Sequence, residues 1–281
     1  MSTLTPLSEP ELLSSDARVF EAADRLREAM IQGVPCQPVR KLFDDTPSIE
    51  TAYMIQQINH LRHTGAGRKQ AGSKIGLTSI AVQKQLGVDE PDFGILYADT
   101  QIADGGTIAW KDVIQPKAEA EIAFVMGRDL TGDVSGIDQV LNAIEYATAA
   151  IEVVDSRILN WDIRLFDTIA DNASSRFFVL GTTQRDPRTL DLSRLKMEMT
   201  RDGAEPGIVS TGLGADVMGN PLEALLWLAR KMSRLGRPLL AGDIVLSGAL
   251  GPMSIAAPGD TFTAHIEQLG SVRVSFGDRF N

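Results

Sequence analysis

The chain has 281 residues, and its 27 lysines and arginines against 37 aspartates and glutamates give a formal net charge of −10. This length predicts one large α/β or β-rich domain or about two small ones, and the acidic balance argues against DNA or RNA as a partner. No apolar run reaches the roughly 18 residues of a membrane helix and no leader pattern opens the chain, so we expect a cytoplasmic protein with no membrane partner.

The sequence contains a single cysteine, Cys36. One cysteine excludes an intrachain disulfide framework and any metal site built from cysteines. The chemistry of this protein must therefore come from oxygen and nitrogen groups.

Two amphipathic helices are predicted near the N-terminus. The first begins at Asp16 with Ser15 as its N-cap and ends at Gly33, and the second is opened by Ser48 and ended by Gly65. The inward positions of the second helix are Ala52, Ile55, Ile58 and Leu61. Together these helices are expected to cover the rest of the protein as a cap.

The N-terminal stretch 1–15 is rich in serine and proline and has no sustained period, which predicts a flexible arm. We therefore expect three parts: the arm, a helical region over 16–70, and a β-rich catalytic domain over 71–281.

Beyond Gly72 the sequence consists of short apolar runs separated by glycines. Such runs predict strands. They span 74–77, 107–110, 121–126, 151–154, 177–180, 243–247 and 272–276. Helical patterns interrupt them only over about 79–86, 137–147 and 221–235. Because strands and helices do not alternate regularly, a mixed sheet with peripheral helices is expected rather than a Rossmann sheet or a TIM barrel.

The most informative stretch is PKAEAEIAFVM, which begins at Pro116. On a strand, Glu119 and Glu121 share one face, where two carboxylates repel each other unless a cation lies between them. A solvated strand edge is the ordinary alternative for an isolated pair. Glu152 is a third carboxylate inside an apolar run, and burying it without a partner is costly. Three glutamates could thus form one oxygen-only site for Mg²⁺ or Mn²⁺.

Lys74 and Asp92 are candidate acid and base groups. Lys74 opens a glycine-bounded strand, and Asp92 lies in a predicted Pro-Asp-Phe-Gly turn. Each residue alone fits a structural role better. Next to a carboxylate metal site, an ammonium and a carboxylate would tune each other's proton affinity. The polar segment 167–175 is either a capped turn or a wall of the same pocket.

Several motifs in fixed order give the sequence a family resemblance. They are K-I-G-L-T, V-D-E-P-D-F-G, P-K-A-E-A-E-I-A-F-V, I-E-V-V-D-S-R-I, D-N-A-S-S, and the C-terminal run from Trp227 to Met253. So arranged over roughly residues 17 to 277, they resemble the 2-keto-4-pentenoate hydratase family of the fumarylacetoacetate hydrolase superfamily.

The resemblance implies a fold, a set of site residues and a reaction. The fold is an α+β, mixed β-rich roll of the fumarylacetoacetate hydrolase C-terminal-domain type, with flanking helices and an N-terminal helical cap. The reaction is the addition of water to 2-hydroxypenta-2,4-dienoate, giving 4-hydroxy-2-oxopentanoate in meta-cleavage catabolism of aromatic compounds. The implied roles are metal ligation by Glu119, Glu121 and Glu152, catalysis by Lys74, Asp92 and Ser174, and substrate binding by Leu77, Asn172 and Ser174. A homo-oligomer built from dimers and a downstream aldolase partner are also implied.

Two other functions stay open at this point. A 4-oxalocrotonate decarboxylase is similar in its metal glutamates and lysine, but it has an uncharged residue where this sequence has Asp92. A structural subunit of a pathway complex is the second alternative, and the presence of Lys74, Asp92 and Ser174 argues against it. The C–C hydrolases of the superfamily are less similar, since they use a histidine-containing dyad that these motifs lack.

Overall fold

The structure is a computed structural model that describes residues 16–43, 47–79, 83, 90–203 and 205–279. The predicted arm over 1–15, the Ser15 N-cap and most of the predicted helix over 79–86 lie outside these ranges. The division of the chain into an arm, a helical region and a β-rich domain stays a prediction.

The first predicted helix, α1, spans Ala17–Gln32. Its N-cap is Asp16, whose carboxylate accepts a hydrogen bond from the backbone N–H of Arg18. Gly33 ends the helix in the left-handed conformation, as the sequence predicts, with a φ of 67°.

The second helix, α2, spans Ile49–Gly65 and is capped by the Ser48 hydroxyl, which accepts from the N–H of Thr51. Leu61 was expected to face inward, but it is 41% exposed. The two helices pack on each other and on Phe166, and this apolar cluster is separate from the main core.

Thirteen strands are found among the described residues, in two sheets. Their bounds are β1 Gln70–Gly76, β2 Asp92–Tyr97, β3 Gln101–Ile102, β4 Thr107–Ile108, β5 Pro116–Met126, β6 Ile144–Asp155, β7 Ser175–Leu180, β8 Lys196–Asp202, β9 Gly207–Leu213, β10 Ile244–Ala249, β11 Ser254–Ile255, β12 Thr261–Ile266 and β13 Gly270–Phe276. The larger sheet has the order β2-β1-β10-β5-β6-β7-β3, with β11 paired to β5. The smaller sheet has the order β4-β13-β12-β8-β9.

The larger sheet is mixed and curved. Strand β1 runs parallel to β10, whereas β5 is antiparallel to both β10 and β6. Strands β1 and β6 are three places apart, or about 14 Å in a flat sheet, yet the Lys74 ammonium on β1 reaches Glu152 on β6. Both side chains therefore lie on the concave face, inside a half-barrel.

Three further helices flank the sheets: α3 Ile137–Ala143, α4 Leu165–Ala170 and α5 Pro221–Arg234. The helix predicted over 137–147 is too long, because β6 begins at Ile144 and its backbone pairs with β5 from there. The mixed sheets with peripheral helices confirm the predicted fold class. No helix in the described part of the chain is long and apolar enough to cross a membrane.

Candidate active site

Three glutamates converge on the concave face of the larger sheet. The register of β5 against β6 places Glu119 directly opposite Glu152, so the two side chains point to the same side of the sheet. Glu121 lies two residues along β5 and shares that face. One carboxylate oxygen from each of the three lies within 4.8 Å of the others.

The negative charge of the three glutamates is only partly neutralised by nearby positive groups. Glu121 and Glu152 are buried, and burial followed by the charges of Glu152 and Glu119 raises the pKa of Glu121 well above its usual range. Burial likewise raises the pKa of Glu119 to about 7, despite the attraction of Lys74. Glu152 has one ion-pair partner, the Lys74 ammonium 3.1 Å from Oε2, and its Oε1 has no hydrogen-bond partner among the described residues. Hard oxygen ligands in this arrangement fit a divalent cation such as Mg²⁺.

Two backbone features support this cluster. The N–H of Gly248 donates to Oε2 of Glu121 at 2.7 Å, which fixes one carboxylate. Gly248 itself has a φ of 100°, in a region that favours glycine, at a place where the pairing of β10 with β5 shifts register.

Lys74 is buried beside the glutamates, with 3% of its surface exposed. Its Nζ lies 3.1 Å from Oε2 of Glu152 and donates a hydrogen bond to the backbone oxygen of Ala173 at 2.9 Å. Burial alone would lower the pKa of Lys74, but the nearby carboxylates, Glu152 first, raise it above its usual range. Lys74 is therefore a buried ammonium at the edge of the glutamate cluster and not a surface lysine.

Asp92 is the first residue of β2, so the prediction of a turn at this position is wrong. Its extended neighbours pair with β1, which places Asp92 opposite Gly76. Oδ2 of Asp92 accepts a hydrogen bond from the Thr168 hydroxyl at 3.2 Å, whereas Oδ1 has no hydrogen-bond partner among the described residues. Burial raises the pKa of Asp92, and Lys74 partly opposes this effect. A side chain at Gly76 would clash with Oδ1, so the glycine makes room for the carboxylate.

Ser174 lies in a tight turn between α4 and β7, and its buried hydroxyl has no partner among the described residues. The amide of Asn172 in the same turn hydrogen-bonds both backbone groups of Ile95. Asn172 is also absent from the described lining of the cavity below. The predicted contact between the Asn172 amide and a substrate stays a prediction.

A cavity of about 600 Å³ lies next to the glutamate cluster, and of the three glutamates it is lined by Glu119. This volume suits a small-molecule ligand. Lys74, Asp92, Glu119 and Ser174 line its polar part, together with Thr168. The apolar part of the lining includes Leu77, Val154, Trp161, Ile163, Pro252 and Met253.

Sequence reasoning missed Thr168, Trp161 and Met253 as lining residues. Thr168 belongs to the polar segment that the sequence singled out as a pocket wall, so a signal was present there. Trp161 has a left-handed φ of 55° in a loop between β6 and α4, which no local pattern indicates.

The family comparison covers the whole site. The family model described as "Fumarylacetoacetate (FAA) hydrolase C-terminal" matches residues 57–276, a range that contains every residue of the cavity named above. The chain belongs to the fumarylacetoacetate hydrolase family. Membership agrees with the fold predicted from the sequence.

Individual relatives are similar to this member of the fumarylacetoacetate hydrolase family over nearly its full length. A protein of Pseudomonas putida named "TodF product hydratase" is 54% identical, over 92% of this chain and 95% of its own. A "2-keto-4-pentenoate hydratase" of Paraburkholderia xenovorans is 53% identical, over 91% and 94% of the two chains. The solved structure of 4-oxalocrotonate decarboxylase from Pseudomonas putida, complexed with magnesium and adipate, has a TM-score of 0.87 at 32% identity. It covers 93% of this chain and 98% of that one.

Proposed function

We propose that this protein is a metal-dependent hydratase of 2-hydroxypenta-2,4-dienoate, the enol form of 2-keto-4-pentenoate, acting in the meta-cleavage breakdown of aromatic compounds. The observation that carries the proposal is Asp92, a buried carboxylate in the cavity with Lys74 nearby and with one oxygen that no described residue hydrogen-bonds. Water addition requires a base for the incoming water, whereas decarboxylation does not. The two hydratases named above, at 53% and 54% identity, support the same reaction.

The metal ligands in this proposal are Glu119, Glu121 and Glu152. Their fit rests on the 4.8 Å cluster and on Oε1 of Glu152, which is buried without a hydrogen-bond partner among the described residues. When bound there, a Mg²⁺ or Mn²⁺ ion would act as a Lewis acid toward the substrate carboxylate and C2 oxygen.

The chain's own residues supply the proton transfers. In the first step the substrate gains a proton at C5 and loses one from the C2 hydroxyl, giving a 2-oxo-3-enoate. In the second step water adds its hydroxyl to C4 and a proton to C3, giving 4-hydroxy-2-oxopentanoate. We assign Asp92 to accept the proton from water, because its Oδ1 has no hydrogen-bond partner among the described residues and burial makes the carboxylate a stronger base by raising its pKa.

Lys74 and Ser174 stabilise and orient the substrate in this mechanism. The Lys74 ammonium is fixed by Glu152 and the Ala173 carbonyl, so it offers a preorganised positive charge to the oxygen on which negative charge develops. The Ser174 hydroxyl is buried at the cavity wall and has no hydrogen-bond partner within the described ranges, and we assign it a hydrogen bond to the substrate.

The lining of the cavity favours a substrate with one carboxylate. Among the described lining residues, Lys74 is the only cation, and Asp216 adds a further carboxylate. The apolar side chains of Leu77, Val154 and Ile163 suit an uncharged vinyl or methyl terminus. Among the described lining residues, a second carboxylate on the substrate tail would find only Lys74, which already contacts Glu152 and Ala173.

4-Oxalocrotonate decarboxylase activity is the second candidate, because the decarboxylase structure superposes with a TM-score of 0.87. The test of the first candidate is to mix purified protein, Mg²⁺ and freshly generated 2-hydroxypenta-2,4-dienoate and to follow the dienol absorbance. We expect loss of absorbance that a chelator abolishes and excess Mg²⁺ restores. Unchanged absorbance in the presence of Mg²⁺ and Mn²⁺ would overturn the proposed function.

A homo-oligomer built from dimers and a cytoplasmic location stay predictions. A downstream aldolase partner also stays a prediction, and its chemical basis is that an aldolase could cleave 4-hydroxy-2-oxopentanoate. Size-exclusion chromatography with light scattering would measure the oligomeric state directly.

A further inference from the structure

The turn that carries Ser174 has an unusual backbone. Asn172, Ala173 and Ser174 are three consecutive residues with left-handed φ angles of 55°, 50° and 54°. None of them is glycine, and residues with a Cβ rarely adopt this conformation in succession. Such a run persists only where the surrounding structure holds it in place.

The Asn172 side chain provides that hold. Its Nδ2 donates to the carbonyl of Ile95 at 2.9 Å, and its Oδ1 accepts from the N–H of Ile95 at 2.8 Å. Strand β2 is the terminal strand of the larger sheet among the described residues, so the amide supplies a donor and an acceptor to an edge without a strand neighbour.

Gly94 permits the close approach of the turn to β2. A Cβ at this position would clash with the carbonyl oxygen of Asn172 and would lie 3.2 Å from Cδ of Lys74. The missing side chain therefore lets the turn and the lysine pack on the same short stretch of strand.

This turn positions two groups of the candidate site, the Lys74 ammonium and the Ser174 hydroxyl. The carbonyl of Ala173 accepts the hydrogen bond from Lys74 Nζ at 2.9 Å. The next residue is Ser174, whose hydroxyl lines the cavity. A shift of this backbone would therefore move the acceptor of Lys74 and the Ser174 hydroxyl at once.

We propose that Asn172 is a positioning residue: its amide clamps the left-handed turn onto β2 and thereby fixes the Lys74 ammonium and the Ser174 hydroxyl for reaction. The expected effect on catalysis rests on the proposed function, whereas the structural role of Asn172 does not. The alternative is that asparagine occurs here only because it tolerates the left-handed conformation better than most residues.

The test uses Asn172→Gly, which keeps the tolerance for positive φ and removes the clamp, and Asn172→Asp, which keeps the acceptor for the Ile95 N–H. The matched control is Asn59→Ala, which removes a side-chain amide bond to the carbonyl of Ala23 in the helical region. Three properties are measured: hydrogen exchange of peptides covering 172–175, acylation of Lys74 by an amine reagent followed by mass spectrometry, and steady-state kinetics.

We expect Asn172→Gly to exchange faster over 172–175, to expose Lys74 to acylation, and to lose about 10-fold to 100-fold in kcat, with a smaller change in KM. Asn172→Asp loses the donor to the Ile95 carbonyl and places a carboxylate oxygen against it, so this variant should also exchange faster than the wild type and lose kcat. Stabilisation by Mg²⁺ should persist in both variants. Asn59→Ala should match the wild type in all three measurements.

Unchanged exchange and acylation in Asn172→Gly would overturn the clamp, and so would a normal kcat in a variant whose turn exchanges faster. If Asn172→Gly does not fold, the same criteria apply to Asn172→Asp. If the wild type hydrates no dienoate, the proposed function fails, while exchange and acylation still decide whether Asn172 positions the turn and Lys74.

Discussion

Replacing Glu121 with glutamine should have opposite effects on stability without and with metal. The variant removes one negative charge from a cluster of three carboxylates while keeping nearly the same shape. A glutamine oxygen can still accept the hydrogen bond from the Gly248 N–H. Without metal, Glu121→Gln should therefore be more stable than the wild type, and added Mg²⁺ should no longer stabilise it.

The size of the effect follows from the geometry of the cluster. Two full charges at the 4.8 Å limit repel by about 3.5 kcal/mol at an effective dielectric constant of about 20. Burial and mutual repulsion raise the pKa values of Glu119 and Glu121, so bound protons already relieve part of this repulsion. We therefore expect a gain of about 1–3 kcal/mol in the metal-free variant, or roughly 2–4 °C in Tm for each kcal/mol.

The assay is thermal unfolding of both proteins in a chelator and in a series of Mg²⁺ concentrations. At about 100 times Kd, Mg²⁺ should stabilise the wild type by about 2.7 kcal/mol, and this increment should vanish in Glu121→Gln. Glu198→Gln, at an exposed position in the smaller sheet, is the control and should behave like the wild type. A Glu121→Gln protein with the wild-type response to Mg²⁺, or with a lower Tm in chelator, would refute the reasoning.

Three further predictions concern the proton-transfer groups and acid stability. Asp92→Asn should lower the hydration rate by about 10²-fold or more while calorimetry shows unchanged Mg²⁺ binding, and wild-type hydration in this variant would remove Asp92 from the mechanism. Gly76→Ala should reduce kcat to a similar extent, since its methyl group would displace Oδ1 of Asp92, and a fully active Gly76→Ala enzyme would contradict the placement. Burial lowers the pKa values of His60 and His63 to about 4, so the unfolded chain takes up protons below about pH 6.5 before the folded protein does. The contribution of these histidines to the free energy of unfolding should be constant above that pH and fall toward pH 4 by about 1–2 kcal/mol for each partly exposed histidine. Carboxylates with raised pKa values act in the opposite direction and are the same in both proteins, so urea unfolding should show a smaller loss of stability toward pH 4 in the variant with both His60→Asn and His63→Asn than in the wild type. An equal loss in the two proteins would exclude these histidines.

The part of the site that the sequence predicts best is the part that a single strand determines. Side-chain alternation along β5 puts Glu119 and Glu121 on one face, whatever the strand pairs with. The approach of Glu152 depends instead on the register of β5 against β6, which no local pattern specifies. Its lone charge in an apolar run predicted a partner but not which one.

The errors of the sequence reasoning arise where tertiary contacts override local preference. The Pro-Asp-Phe-Gly motif is typical of a turn, yet Asp92 begins a strand because β2 pairs with β1 from this residue onward. For Asn172 the family resemblance implies a substrate contact, which stays a prediction. The left-handed backbone of Asn172 and its bond to Ile95 follow from packing between distant segments, which only the three-dimensional structure reveals.

The most direct test of the account offers two substrates to one preparation of the wild-type protein with Mg²⁺. One is 2-hydroxypenta-2,4-dienoate, with its product identified by mass, and the other is 2-oxo-3-hexenedioate, with release of CO₂ measured. We predict that the pentadienoate gains the mass of one water and that the hexenedioate releases little CO₂. Rapid release of CO₂ from the hexenedioate, with no hydration of the pentadienoate, would contradict the account and identify a decarboxylase.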